Sequence, residues 1–244
     1  MAVNIGVVAE GVTDQVVIEE LVSAAVEHAD IALIKVQPTV DRTSMPGDQE
    51  GGWRQVYKWC LGYPPDLRRQ MIFGGGLFAT SEPDFQLLLV HLDADLCDDI
   101  EFIRQSPIDA TNFDLKTSIG RGGFIKETLK GWLWQDQTEL LNDLNWTVLA
   151  PAVEKTETWL VAAFEVADNP EEMINVDCEL LKIYQKISGN RQRNQKAVRK
   201  KPEIYRKIAQ VAKDNISSVT NNCPHFAEII FDIEAAITGS KKTS

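Results

Sequence analysis

Acidic residues follow two separate apolar runs of this chain, and they could carry metal-ion chemistry. Glu10-Gly11 comes directly after the run 3–9, and Asp93-Ala94-Asp95 comes directly after the run 85–92. If both runs are strands of one parallel sheet, the loops at their carboxyl ends form its ligand crevice, so the two clusters can meet there. Three carboxylates in one crevice repel one another unless a cation joins them. The pattern predicts a site for Mg²⁺ or Mn²⁺.

Each carboxylate also has an explanation that needs no metal. Asp14 lies in the first turn of the first predicted helix, where the helix dipole favours an acidic residue. Asp93 and Asp95 are expected to project to the same side of an extended strand end, but a solvated acidic loop would have the same composition. An EF-hand does not fit, because Asp98 stands where that loop needs glycine and Arg104 where it needs a bidentate glutamate.

Strands and helices alternate along the part of the chain that must position these residues. Apolar runs predict strands at 3–9, 31–36, 85–92 and 146–150, and Pro151 is expected to close the last. Helices are predicted at 14–28, with Thr13 as its cap, and at 53–61, 124–134, 138–144 and 154–165. Beyond about residue 171 the pattern is helical, including 202–212 and 226–237. This order is typical of an α/β fold: a mainly parallel sheet flanked by helices, here with a helical C-terminal extension.

Composition indicates a soluble protein with its own core. The 244 residues suffice to bury a substantial apolar interior. The four cysteines lie far apart and form no CxxC pair, which argues against a zinc ribbon or a disulfide framework and favours reduced thiols. No stretch approaches the ~20 apolar residues of a membrane span, and no basic leader precedes the first strand. A cytoplasmic location without a membrane partner is expected.

Charge is distributed unevenly along the chain. The formal net charge is -11, which disfavours a nucleic-acid partner for the molecule as a whole. Residues 182–213, however, contain eleven basic side chains and one acidic one, a local net charge of +10. Two interpretations stay open. The segment binds a polyanion, with Arg199, Lys200 and Lys201 as candidate nucleic-acid contacts, or it packs against the acidic remainder of the chain.

The two acidic clusters and their surroundings resemble the TOPRIM domain, the catalytic module of topoisomerases, bacterial primases and nucleases related to the phage overcoming-lysogenization-defect protein. The matching residues are 8–14, Val-Ala-Glu-Gly-Val-Thr-Asp, and 92–95, Leu-Asp-Ala-Asp. The resemblance covers approximately residues 3–165. Glu-Gly followed by Thr-Asp is most similar to the nuclease branch, which includes stand-alone TOPRIM proteins of prokaryotic anti-phage defence. The long interval between Glu10 and Asp93 departs from compact TOPRIM domains and implies an insertion at about 39–84.

This resemblance implies a division of the chain and a set of site residues. Residues 1–170 would form a TOPRIM-like Rossmannoid catalytic domain, 171–238 a helical basic region and 239–244 a flexible tail. The implied site comprises Glu10, Asp93 and Asp95 as catalytic groups and metal ligands, Asp14, Glu154 and Glu157 as further metal ligands, and Lys201 as the catalytic lysine. Lys200 is equally well placed in sequence order. Glu154 and Glu157 also suit an exposed first helical turn, which favours acidic residues without any metal.

The function implied by the resemblance is metal-dependent hydrolysis of phosphodiester bonds, with DNA favoured over RNA and anti-phage defence as the setting. One ion would lie with Glu10, Asp93 and Asp95, and a second could lie near Asp14 or the later glutamates; Glu10 could instead transfer a proton. Because the sequence contains no ATPase region, an ATP-driven nuclease would need a separate ATPase or regulatory protein. Two alternatives stay open: a non-catalytic TOPRIM-like binding or toxin-partner protein, and a primase-like nucleotidyl transferase.

Overall fold

Four parallel strands form the centre of the fold. The computed structural model describes residues 3–27, 30–38, 52–73, 85–134, 145–189 and 195–239. Within these ranges the strands are β1 (Val3–Val8), β2 (Ile31–Gln37), β3 (Leu87–Asp93) and β4 (Thr147–Ala152), and they lie in the order β2-β1-β3-β4. Every neighbouring pair is parallel. The predicted α/β class with a parallel sheet is confirmed.

Helices flank this sheet. They are α1 (Val12–Ala25), α2 (Trp53–Gly62), α3 (Pro65–Phe73), α4 (Ile100–Gln105), α5 (Ser118–Leu133), α6 (Glu157–Ala162), α7 (Val176–Ser188), α8 (Pro202–Ala212), α9 (Ile216–Asn222) and α10 (Pro224–Ile237). α5 and α10 pack against β3 and β4, and α8 packs against α1. Side chains of the C-terminal helices, including Leu180, Ile208 and Phe226, belong to the same hydrophobic core as the strands. Among the helices described, none is long and apolar enough to cross a membrane.

Burial explains why the strands are visible in the sequence. All residues of β3 and β4 are buried, whereas β2, at the edge of the sheet, alternates between partly buried and exposed positions. A parallel strand covered on both faces needs an almost continuous apolar run. β3 therefore carries the longest such run directly before the acidic cluster at Asp93.

Three local features differ from the prediction. α1 begins at Val12 with Gly11 as its N-cap, so the expected capping role of Thr13 is wrong. Pro151 does not close β4 but lies within it, opposite Leu92. The missing N–H is tolerated because β4 is an edge strand of the described sheet, where one side of the backbone has no ladder partner. The helix expected from residue 154 begins only at Glu157, after a turn, and the helix expected at 138–144 lies outside the described residues.

The described part of the predicted insertion, residues 52–73, contributes α2 and α3. Trp53 at the start of α2 packs edge-on against Phe102 with ring centroids 5.5 Å apart, and its indole N–H donates to Asp99 Oδ2 at 3.1 Å. The N–H of Gly52 donates to the carbonyl of Glu10 at 3.0 Å. The insertion thus returns to the end of β1, next to the predicted acidic site.

The four cysteines form no disulfide. Cys60, Cys97 and Cys223 are buried, and Cys178 is exposed. Burial raises the pKa of Cys60 and of Cys97 to about 12, so these thiols stay protonated and unreactive at neutral pH. The expectation of reduced thiols agrees with this arrangement.

Candidate functional site

The two acidic strand ends meet at the carboxyl edge of the sheet. β1 and β3 are neighbours, and the Glu10 carboxylate accepts a hydrogen bond of 2.8 Å from the Asp93 backbone N–H. Asp93 itself is only 8% exposed. The topology therefore brings together two acidic positions that are far apart in sequence.

Asp93 is held in place by the turn that follows β4. Its Oδ1 accepts hydrogen bonds from the Thr156 N–H at 2.9 Å and from the Thr156 hydroxyl at 2.8 Å. Behind that hydroxyl lies the buried His91, whose Nε2 is 2.9 Å from Thr156 Oγ1 and whose Nδ1 is 2.8 Å from the Ala150 carbonyl. Because a carbonyl can only accept, His91 Nδ1 carries a proton and donates it. The proton of the Thr156 hydroxyl goes to Asp93, so the Nε2 contact requires a second proton on His91, at Nε2. Burial lowers the pKa of His91, but the hydrogen bond and the charge of Asp93, whose Oδ1 is 3.3 Å from Nε2, outweigh it and raise the pKa overall. Thr156 and His91 together orient Asp93.

Asp95 lies on a different element from Asp93. The chain turns into a 3₁₀ helix, Ala94–Asp98, directly after β3, and the Asp95 N–H donates to the Glu154 carbonyl at 2.9 Å. The Asp95 side chain is 39% exposed, against 11% for Asp93. The expectation that both project from one side of an extended strand end is therefore wrong. They remain close enough that Asp93 adds to the raised pKa of Asp95.

Asp14 faces the other carboxylates from the first turn of α1. It is 5% exposed, although an acid placed only to complement a helix dipole could stay in solvent. A Cβ at Gly11 would lie 3.1 Å from Asp14 Oδ2, so the glycine leaves room for this carboxylate. Burial and the nearby Asp93 raise the pKa of Asp14 to about 7, and Glu157 adds to the shift.

The pKa values of the other acids show the same crowding. Burial raises the pKa of Glu10 well above its usual range; Asp93, Asp14 and Asp95 add to this, and the hydrogen bond from the Asp93 N–H opposes it. Burial and Asp93 raise the pKa of Asp95 to about 6, against the opposing charge of Lys155. Such shifts are expected where several carboxylates gather without a cation among them.

The two glutamates after β4 have different surroundings. Glu157 is fully buried, its Oε1 accepts a hydrogen bond of 2.6 Å from the Tyr205 hydroxyl, and its Oε2 has no partner within the described residues. Glu154 instead occupies a turn with φ 60°, and its carboxylate lies 3.2 Å from Arg121 Nε. Arg121 also pairs with Asp98 at 3.0 Å. Glu157 thus belongs to the acidic cluster, whereas the Glu154 carboxylate is already paired.

A lysine lies at each end of the cluster. Lys155 Nζ is 3.1 Å from Asp177 Oδ2 and 3.8 Å from Asp95 Oδ2. Lys200 Nζ is 3.8 Å from Glu157 Oε1. Desolvation lowers the pKa of Lys200, but Glu157 and the other nearby carboxylates outweigh it and raise the pKa overall. Both lysines therefore carry positive charge to the edge of the site.

The structure places Lys200, not the predicted Lys201, beside the carboxylates. Lys201 is 55% exposed, and its Nζ lies 3.8 Å from Glu203 instead. Its backbone is extended at φ -122° and ψ 127°, and successive side chains of an extended segment point in opposite directions. Two adjacent lysines that the sequence treats alike are separated by this geometry.

The basic segment 182–213 is partly paired with the acidic body. Arg206 lies 2.9 Å from Glu19 Oε2 and 3.6 Å from Glu20 Oε1, and Lys213 lies 3.2 Å from Glu20 Oε2. These pairs dock α8 on α1, as the second interpretation of the charge predicts. Arg199 is exposed next to Lys200, which leaves part of the segment available to an anionic ligand.

Oxygen donors of the kind that Mg²⁺ and Mn²⁺ prefer are present. In the described ranges, however, no group of three or more His, Cys, Asp or Glu side chains stands in a geometry that could hold a metal ion. One oxygen of Asp93 and one of Glu10 are engaged in hydrogen bonds, as given above. The buried, unpartnered Oε2 of Glu157 is an acceptor that a cation would satisfy. The donor set fits a hard cation in chemistry, and side-chain rotations would have to bring the ligands together.

Three residues that shape this site are not predicted by the sequence analysis: His91, Thr156 and Tyr205. At position 91 the sequence predicts a packed or surface histidine and not a metal ligand. His91 is fully buried, and its Nε2 lies 2.9 Å from Thr156 Oγ1 and 3.3 Å from Asp93 Oδ1. His91 and Asp93 are two residues apart on a predicted strand, so the sequence alone could have indicated that both side chains point to the same face of the sheet. Tyr205 has no such signal, because only the docking of α8 brings it to Glu157.

Comparisons with models of protein families, with curated proteins and with solved structures returned no match to this chain. The likeness to TOPRIM domains therefore rests on the motifs at 8–14 and 92–95. The geometry of the acidic site is the further basis on which a function can be proposed.

Proposed function

We propose that this protein is a metal-dependent nuclease that hydrolyses phosphodiester bonds, with DNA as the favoured substrate. The observation that carries the proposal is the gathering of Glu10, Asp14, Asp93 and Asp95 at the carboxyl edge of a parallel sheet, with raised pKa values for three of them. Burying several carboxylates together opposes folding, and such arrangements concentrate at functional sites. The TOPRIM-like motifs favour the same function.

The residues divide by position into metal ligands and substrate contacts. Glu10, Asp93 and Asp95 would hold a cation between β1 and β3. Asp14 and Glu157 are the candidates for further ligands, and Glu154 is less suited because Arg121 already neutralises it. Mg²⁺ or Mn²⁺ bound there would neutralise the scissile phosphate and lower the pKa of a bound water.

Charged groups around the carboxylates suit a polyanionic substrate. Lys200 places an ammonium 3.8 Å from Glu157, at the same edge as the proposed metal ligands, where it can bind a phosphate oxygen. Arg199 extends this positive charge outward. Thr156 holds Oδ1 of Asp93, so the other carboxylate oxygen is the one that would face a ligand.

Cleavage of end-labelled DNA and RNA, single- and double-stranded, tests this function. We expect cleavage that requires Mg²⁺ or Mn²⁺, stops with a chelator and falls at least about 100-fold in Asp93→Asn. The exposed Asp168→Asn is the matched control and should cleave normally. Nucleotide incorporation into a primer would favour a transferase. Mn²⁺ binding without turnover, also in the presence of an ATPase partner, would favour a binding protein and contradict the nuclease.

A further inference from the structure

Glu157 is held by a residue that comes from the C-terminal region. The Tyr205 hydroxyl donates to Glu157 Oε1 at 2.6 Å, and both side chains are almost inaccessible, at 2% and 0% exposure. A hydrogen bond to a buried carboxylate is charge-assisted, so it fixes the orientation of the acceptor more firmly than a neutral pair would. The position of Tyr205 therefore decides where the second oxygen of Glu157 lies.

That second oxygen is the unusual feature of this pair. Glu157 Oε2 is buried and has no hydrogen-bond partner within the described residues. A buried acceptor without a partner destabilises the fold, and does so more strongly when it is charged. A buried acceptor kept free at this position is suited to a cation.

Tyr205 is itself anchored firmly enough to act on Glu157. α8 begins with Pro202 at its first turn, and its buried face includes Ile208 and Ala209. The helix is also paired with α1 through Arg206 and Glu19, 2.9 Å apart. The tyrosine ring is thus fixed by packing and by ion pairs that do not involve the carboxylate it contacts.

We propose that Tyr205 is a positioning residue for Glu157: its hydroxyl occupies Oε1 and thereby keeps Oε2 available as a metal ligand. This inference rests on the proposed function, because it assigns Glu157 to the metal-binding site of the nuclease. It also makes the C-terminal region a part of that site through α8, in addition to any contact with nucleic acid.

Tyr205→Phe tests the proposal, since it keeps the ring and removes only the hydroxyl. In Mn²⁺ titrations followed by calorimetry we expect the affinity to fall about 10-fold, the size typical of losing a partner that orients a metal ligand. In cleavage assays kcat should fall while KM for the nucleic acid changes little. Tyr184→Phe, on the neighbouring α7, is the matched control and should change neither quantity.

A double-mutant cycle with Glu157→Gln separates positioning from a general effect on folding. If Tyr205 acts through Glu157, the double variant should bind Mn²⁺ no more weakly than Glu157→Gln alone. The positioning role would be overturned if the two single-variant losses of Mn²⁺ affinity multiplied in the double variant, or if Tyr205→Phe left the Mn²⁺ affinity unchanged. Either result would leave the nuclease proposal standing. Failure of the wild-type protein to bind Mn²⁺ would contradict the proposed function and this inference together.

Discussion

Lys200 and Lys201 are neighbours with the same charge but with different surroundings. Lys200 lies beside the fully buried Glu157, whereas Lys201 pairs with the exposed Glu203. We expect Lys200→Ala to lower cleavage about 10- to 100-fold, because a positive charge that meets the scissile phosphate stabilises the transition state. Steady-state kinetics on labelled DNA measure the effect.

Lys201→Ala is the internal control, since it removes the same charge one residue away. It should retain kcat within about twofold, because this exposed charge lies away from the carboxylates, and any loss should appear in KM for the DNA. Equal losses in the two variants would mean that the lysines act only through the overall charge of the segment.

At the level of residues, the position of a side chain can be predicted from sequence where a recognisable strand or helix fixes the direction in which that side chain points. Glu10 and Asp93 lie at adjacent strand ends as predicted, because apolar runs mark where strands stop. The predicted orientation of Asp95 relative to Asp93 is wrong, since nothing in the run before it signals the 3₁₀ turn at Ala94. Tyr205 could not be assigned a contact, because its partner depends on how a distant helix docks.

At the level of elements, α5 contains two adjacent glycines, of which one has no space for a side chain and the other has. A Cβ at Gly122 would lie 2.5 Å from His225 Nε2, while one at Gly123 would lie 3.5 Å from the Phe113 ring, an ordinary contact. His225 cannot easily move away, because its Nδ1 is 2.7 Å from the buried Glu171 carboxylate. The close approach therefore marks where α5 meets the start of α10.

We expect Gly122→Ala to lower the free energy of unfolding by about 1–3 kcal/mol, the usual size of overpacking in a well-packed interior. Gly123→Ala should be neutral or stabilising by up to about 1 kcal/mol, because alanine favours helix more than glycine does. Urea unfolding of both variants gives the comparison. A Gly122→Ala protein as stable as the wild type would show that α5 and α10 pack less tightly than described.

The part of the basic segment that directly precedes α8 can be tested in the same way. Arg199 and Lys201 are exposed, and they flank Lys200 without contacting the carboxylate cluster. Reversing both charges to Glu should weaken DNA binding and lower the dependence of log Kd on log salt by about 1 for each phosphate that is no longer neutralised. Mn²⁺ affinity should be nearly unchanged.

Lys182→Glu is the matched control for that charge change. Lys182 is exposed on α7 and pairs with Glu179 three residues earlier. If reversal at 199 and 201 leaves DNA binding and its salt dependence unaltered, the segment serves only to dock α8 on the acidic body.

The sequence predicts strands and helices well where burial requires an apolar composition. It predicts their boundaries less well where a single residue determines the end of the element. The apolar runs predict the strands because parallel strands under helices must be apolar throughout. Pro151 is expected to end a strand, yet an edge strand accommodates it. The boundary of α6 depends on the positive φ of Glu154, a conformation that side-chain type alone does not reveal.

For the whole molecule, the raised pKa values imply that stability falls as pH rises. An acid whose pKa is higher in the folded state binds more protons folded than unfolded, so its contribution is lost on ionisation. Asp14, with a pKa of about 7, and Asp95, at about 6, place this loss between roughly pH 4 and 7. Without metal, we expect a lower Tm at pH 8 than at pH 5.5, and Mg²⁺ should restore it.

Asp14→Asn should flatten this pH dependence and raise the Tm of the metal-free protein at pH 8. Asp168→Asn, on the surface, should leave the curve unchanged. Scanning calorimetry across the pH range provides the measurement. A metal-free wild type whose Tm rises steadily from pH 5.5 to 8 would contradict the raised pKa values of the carboxylates in the site.

The distribution of the cysteines makes the protein ready for single-site labelling. Cys178 is exposed, and the other three thiols are buried. A maleimide dye should therefore react at Cys178 alone in the folded protein. Cys178 Sγ lies 3.8 Å from the carbonyl of Lys196, inside the basic segment. A fluorophore placed there would report the arrival of a polyanion at this surface without any substitution in the chain.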